Sequence, residues 1–148
     1  MLSFTVNKSR VAVVRCDSYD QISVCRAVSD GIHLLGGVSR FAAPNEQILL
    51  KPNVLAGDDP EKLISPHPTV MRAVAEMFRK RNARLTYGDS PGFGKPEAGL
   101  RKAGLAAAAE EYGARMANFT DGPEMSYPDS PFTRRFFLPK ELLPVTGW

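Results

Sequence analysis

Three short loops carry the residues best suited to chemistry. Lys51, Pro52 and Asn53 follow an apolar run, QILL. A lysine at the end of a core strand can hold phosphate or carboxylate as a point charge, or its stem can snorkel and leave the head in water. His67 stands between Pro66 and Pro68, which keeps it extended. It can serve as an acid–base group or as a helix cap. The third loop, GDSPGFGK from Gly88 to Lys95, brings Asp89, Ser90, Gly92, Gly94 and Lys95 together. A glycine-rich turn entering a helix exposes backbone N–H groups, and with Lys95 beside them it favours an anion. The same loop can equally be a plain strand-to-helix turn, with Asp89 and Ser90 making a side-chain turn. It is no Walker A loop, because Gly94-Lys95 is followed by Pro96 rather than Ser or Thr. The GxGxxG dinucleotide pattern fails as well, since Gly92-Phe93-Gly94 runs into Lys95, Pro96 and Glu97.

The elements that must position these loops follow from periodicity. Arg10 to Arg15, RVAVVR, is β-branched and reads as a buried strand. Asp17-Ser18 offers an N-cap to a helix whose apolar positions run from Ile22 to Leu35, ending at Gly36-Gly37. Gln47 to Lys51 reads as a second strand, closed by Pro52. Pro68 fits the first position of a second helix, capped by Ser65 or His67, with Val70, Met71, Val74, Ala75, Met77 and Phe78 on its apolar face. Ala83 to Tyr87 is a third strand. A helix restarting at Pro96 should break near Gly104 and stop at Gly113. Arg115 to Phe119 and Phe132 to Leu138 are the fourth and fifth strands, with a Pro-rich loop between them. This alternation predicts a single α/β domain over residues 1–148. Its sheet should be largely parallel, of about five strands with helices on its faces, three-layer or incompletely doubly wound. In such sheets ligands bind beyond the strand carboxyl ends. That edge would collect Lys51, Asn53, His67, Asp89, Ser90 and Lys95.

Composition narrows the classes. The 148 residues are 43% hydrophobic, which suits one packed domain and excludes a chain disordered throughout. No apolar run approaches the roughly 18 residues that span a bilayer, and MLSFTVNKSR has no signal-peptide pattern. The expectation is a soluble, cytoplasmic protein without membrane contact. The net charge of +3 permits anionic partners without requiring them. Arg79, Lys80, Arg81 and Arg84 fall where a helix C-terminus takes cations, and Arg134 and Arg135 suit a solvated strand face, so no nucleic-acid partner is expected. Cys16 and Cys25 make neither a CxxC pair nor a zinc pattern, and read as small apolar residues of a reducing compartment.

Several segments together carry a resemblance: RVAVVRCDSYD, HLLGGV, LLKPNVL, SPHPTVMRAVAEMF, YGDSPG and KAGLAAAAEEYGARMANF. In this order they resemble the bacterial and archaeal family called domain of unknown function 362, from Arg10 to Phe119 and more weakly to Leu143. Many members of that family carry a fused ferredoxin-type domain with two Cys-rich cluster motifs. Cys16 and Cys25 cannot hold such a cluster, so no iron–sulfur cofactor is expected here, and any other cofactor is left open. The resemblance implies a redox-linked enzyme ancestry and a ferredoxin-like partner. Members usually continue through another strand and a Lys-x-Lys-x-His-like motif, whereas this sequence stops at Pro144 to Trp148. The expected function is binding of an anionic small ligand at the strand carboxyl ends. The alternative is a non-catalytic interaction module, or a half-domain completed by self-association or a partner chain. A homo-oligomer joined through Phe132 to Trp148 is expected in either case, because a free sheet edge and clustered aromatics need cover.

Overall fold

The structure, a computed structural model, describes residues 9–55, 57–90 and 94–142. Helix α1 (Gln21–Leu34) is capped by Asp20, whose side chain accepts from the Ser23 N–H at 2.9 Å. The cap therefore sits beyond Asp17-Ser18. At its other end Gly36 takes φ +109° and the Gly37 N–H returns to the Ile32 carbonyl, the exit that the paired glycines allow. Strand β1 (Gln47–Leu50) follows. Helix α2 (Pro68–Lys80) starts on Pro68 and buries Met71, Ala75 and Phe78. Burial of the Met and Phe side chains is worth about 1.5–3 kcal/mol each. Asn82, at φ +60°, ends α2 in place of a glycine.

Strand β2 (Arg84–Tyr87) leads to helix α3 (Pro96–Lys102). Gly104 at φ +70° separates α3 from helix α4 (Leu105–Glu110). Strand β3 (Arg115–Met116) completes a parallel sheet of order β1-β2-β3. In its register Leu50 lies opposite Tyr87, and Tyr87 opposite Met116. Helix α2 packs on β2, α1 and α4, and α4 reaches β3. Tyr87, Leu100 and Leu105 are the largest side chains enclosed between them.

The sheet has three parallel strands rather than about five. Among the described residues Arg10 to Arg15 has no strand partner, and Val11 and Val13 are 81% and 88% exposed. A β-branched run fits a pleated surface but forms a strand only where a neighbour offers a free edge. The other shortfall lies near the C-terminus. Strand β4 (Glu124–Ser126), within the stretch read as a loop, pairs antiparallel with strand β5 (Arg135–Phe137) as a separate two-stranded sheet. Antiparallel neighbours need only a reversing loop, and Tyr127 to Arg134 supplies it, the Tyr127 N–H donating to the Arg134 carbonyl at 2.8 Å.

Candidate functional site

Because β1 and β2 run parallel and in register, the chain leaves both at the same edge. Lys51 follows β1 there, and Gly88 and Asp89 follow β2. The Gly88 N–H donates to the Leu50 carbonyl at 3.1 Å. A Cβ on Gly88 would lie 2.6 Å from the Phe119 ring, so only glycine lets that ring close over the turn. Asp89 is 4% exposed. One oxygen, Oδ2, accepts from the Val54 N–H at 2.7 Å, and the other meets the Lys51 ammonium at 2.5 Å. Lys51 also donates to Asn53 Oδ1 at 2.9 Å. Burial pushes the Asp89 carboxyl up, but the Lys51 hydrogen bond and the Val54 and Ser90 amides outweigh it and hold the group below the usual carboxylate value. Asp89 thus stays ionised and ties the loop after β1 to the loop after β2.

His67 is the N-cap of α2. Its Nδ1 accepts from the Thr69 N–H at 3.3 Å and lies 2.8 Å from Thr69 Oγ1. An accepting Nδ1 places the ring proton of the neutral form on Nε2. The ring stacks on Tyr19, with centroids 4.2 Å apart. Gly94 takes φ +76°, in the left-handed region that favours glycine. Lys95 caps α3 without a side-chain bond to the helix. Ser90 is exposed, and Gly92 lies outside the described residues.

Lys95 faces a cavity of about 500 Å³ between the start of α3 and the segment after β3. Arg101 lines it as a second cation, held by Glu97 at 3.2 Å and approached by Glu110 at 3.7 Å. Met116 and Phe119 supply its apolar wall, and Asn118 and Thr120 its polar rim. Behind it the buried Tyr87 hydroxyl donates to Glu110 at 2.6 Å, and burial with that bond raises the phenol above its ordinary range. Two groupings therefore stand where sequence pointed to one: Lys51, Asn53 and Asp89 bonded together, and Lys95 in a groove with Arg101. Sequence reasoning missed Arg101, Asn118, Phe119 and Thr120. The available signal was that a parallel β3 puts residues just past it on the same edge.

A second cavity, of about 370 Å³, lies between Val14 to Tyr19 and α1, with Val70 at its side. Cys16 borders it and is exposed. Cys25 lies elsewhere on α1, where its Sγ accepts from Gln21 Nε2 at 3.0 Å and lies 3.6 Å from Glu76. Both thiols are free. Among the described residues no helix is long and apolar enough to cross a membrane, and no three His, Cys, Asp or Glu side chains are grouped as for a metal ion.

A three-stranded parallel sheet with helices packed on it, and polar loops at its carboxyl edge, defines a mixed α/β protein. Residues 48–146, two thirds of the chain, match the family described as domain of unknown function (DUF362), and the chain belongs to that family. The motifs LLKPNVL, SPHPTVMRAVAEMF and YGDSPG lie largely within the matched region, whereas RVAVVRCDSYD and HLLGGV precede it. A thylakoid-associated protein of Synechocystis sp. is 34% identical over 84 residues, covering 57% of this chain and 26% of that protein. The aligned stretch thus spans about a quarter of that relative's length. No solved structure matches the chain.

Proposed function

We propose that the protein binds a small anionic ligand with an apolar body at the carboxyl edge of its parallel sheet. The observation that carries this reading is the groove in which Lys95 and Arg101 stand over Met116 and Phe119. Its volume, about 500 Å³, falls within the range of small-molecule sites, and its mixture of apolar wall and few polar groups is typical of them. Among the described residues Lys95 forms no ion pair, while Arg101 is shared with Glu97 and Glu110. Ser90 and Gly94 flank the segment that leads to Lys95. Lys51, Asn53 and Asp89 act one loop away, fixing the backbone on which the edge is built, and His67 caps α2. Titration with benzoate, followed by calorimetry, tests the reading. Saturable binding that weakens on Lys95→Met by about 1–3 kcal/mol, the worth of a charge-assisted hydrogen bond, supports it. Binding that is absent, or indifferent to Lys95, rejects it.

A second reading is favoured by exposed apolar side chains. Phe132 and Phe137 on the β4–β5 unit are 93% and 75% exposed, and Val11 and Val13 are similarly bare. Surfaces of this kind associate. We therefore also propose self-association through Phe132 to Trp148, of which residues 143–148 lie outside the described ones. A ferredoxin-like partner on the same surface would be the redox form of that reading. The proposed compartment is the cytoplasm, on the two free thiols. The thylakoid-associated relative makes fractionation between cytosol and internal membranes the informative test of it.

A further inference from the structure

The amino ends of the strands carry a separate cationic pocket. Gln47 opens β1, Arg84 opens β2 and Arg115 opens β3. Gln47 and Arg84 are register partners, and so are Thr86 and Arg115. Arg84 and Thr86 are two apart on one strand, so all four side chains leave the same face of the sheet. A cavity of about 200 Å³ sits there, lined by these four and by Arg79 from the last turn of α2. Among the described residues no carboxylate forms an ion pair with Arg79, Arg84 or Arg115, although Lys80, Arg72, Arg101 and Arg135 all find one. The neighbouring Glu46 turns its carboxylate onto the Ala43 N–H at 2.7 Å. Thr86, 6% exposed, has a buried hydroxyl with no partner among the described residues.

A helix dipole accounts for Arg79 at the end of α2, but not for Arg84 and Arg115, because strand ends carry little net dipole. Cations contributed by three different elements to one pocket repel one another unless an anion sits between them. Guanidinium forks match the oxygens of a phosphoryl group two at a time. The volume suits a compact oxyanion and falls below that of sites for larger organic ligands.

We infer that this amino-edge pocket binds a phosphoryl group, with Arg84 and Arg115 as its principal ligands and Arg79 as the third cation. It stands apart from the groove at Lys95, at the opposite end of the strands, so either can fail without the other. The test is calorimetry on the full chain at near-physiological salt, with inorganic phosphate, pyrophosphate and a phosphate monoester as probes. One-to-one binding of at least one probe is expected, and its preference among the three tells a free anion from an esterified one. Arg84→Gln and Arg115→Gln should each weaken that binding about tenfold or more, the usual worth of a charge-assisted hydrogen bond. Arg84→Lys should weaken it several-fold, because the charge remains and the fork is lost. Arg134→Gln, on the exposed β4–β5 unit, removes the same charge from elsewhere and should leave binding unchanged. The absence of saturable binding by all three probes at millimolar concentration overturns the inference. So does an equal loss in Arg134→Gln, which marks non-specific attraction. The arginines are exposed, and circular dichroism verifies that each variant keeps the fold.

Discussion

Replacing Asp89 with Asn tests whether the carboxyl edge is built as described. The side chain is nearly isosteric, so packing is conserved and only hydrogen bonding and charge change. In the native edge one oxygen takes the Val54 N–H at 2.7 Å and the other faces the Lys51 ammonium at 2.5 Å. An amide has one accepting oxygen. Whichever way it is turned, its NH₂ meets a donor, either the Val54 N–H or the Lys51 ammonium. Lys51 is 48% exposed, so the ion pair itself is discounted for solvent. The main loss is one buried hydrogen bond to a charged group, about 1.5–3 kcal/mol. In a domain of this size that lowers Tm by roughly 4–12 °C. Urea unfolding followed by circular dichroism measures it directly.

The pH dependence of that loss carries a sign. The folded carboxyl titrates below its ordinary value of 3.8, so its stabilisation is fully present above 3.8 and is lost as pH falls through the lower folded value. The gap between wild type and Asp89→Asn should therefore be constant from about pH 5 to 7 and close in more acidic solution. A gap below about 0.5 kcal/mol at neutral pH, or one that widens on acidification, refutes the reasoning.

The remaining predictions concern other parts of the fold. Gly88→Ala should destabilise by about 1–3 kcal/mol, since its Cβ would lie 2.6 Å from Phe119, and adding Phe119→Ala should recover part of that loss. Gly57→Ala should cost at least as much, because a Cβ there would lie 2.2 Å from the Gly99 backbone and φ is +69°. His67→Ala should cost about 1 kcal/mol as a lost helix cap and His67→Asn much less, both read by thermal unfolding. Light scattering at micromolar concentration should show a particle heavier than the 16.2 kDa chain, and Phe132→Ser with Phe137→Ser should return it to one chain.

How much of this was legible beforehand depended on whether a signal was local. Helix α2 was readable because Pro68, the flanking His67 and the apolar face at Met71, Ala75 and Phe78 all point to one answer. Gly36, Gly104 and Gly113 were readable because the left-handed backbone they adopt is one that few other residues accept. RVAVVR misled because composition reports fitness for a sheet, while a strand also needs a neighbour. The short β4 was hidden among Pro123, Pro128 and Pro131, since a three-residue strand has almost no period to read. At the site, parallel strands implied that Lys51 and Asp89 share an edge. Their direct bond, across 38 positions of chain, and the anchoring of Val54 on Asp89 are long-range pairings that no local pattern encodes. The groove around Lys95 escaped for a similar reason, because Arg101 and Phe119 meet it only after the sheet has formed.

The most direct test of the carboxyl-edge site is a nitrogen–proton NMR titration of the full chain with benzoate, which has no phosphoryl group for the amino-edge pocket to take. Saturable shifts should concentrate at the amides of Lys95, Glu97, Arg101 and Asn118 to Thr120 and disappear in Lys95→Met. Shifts confined to the amides around Arg84 and Arg115, or to Val14 and Val24 at the second cavity, would place the ligand elsewhere and contradict the account. A titration with no saturable shift at any amide would do the same.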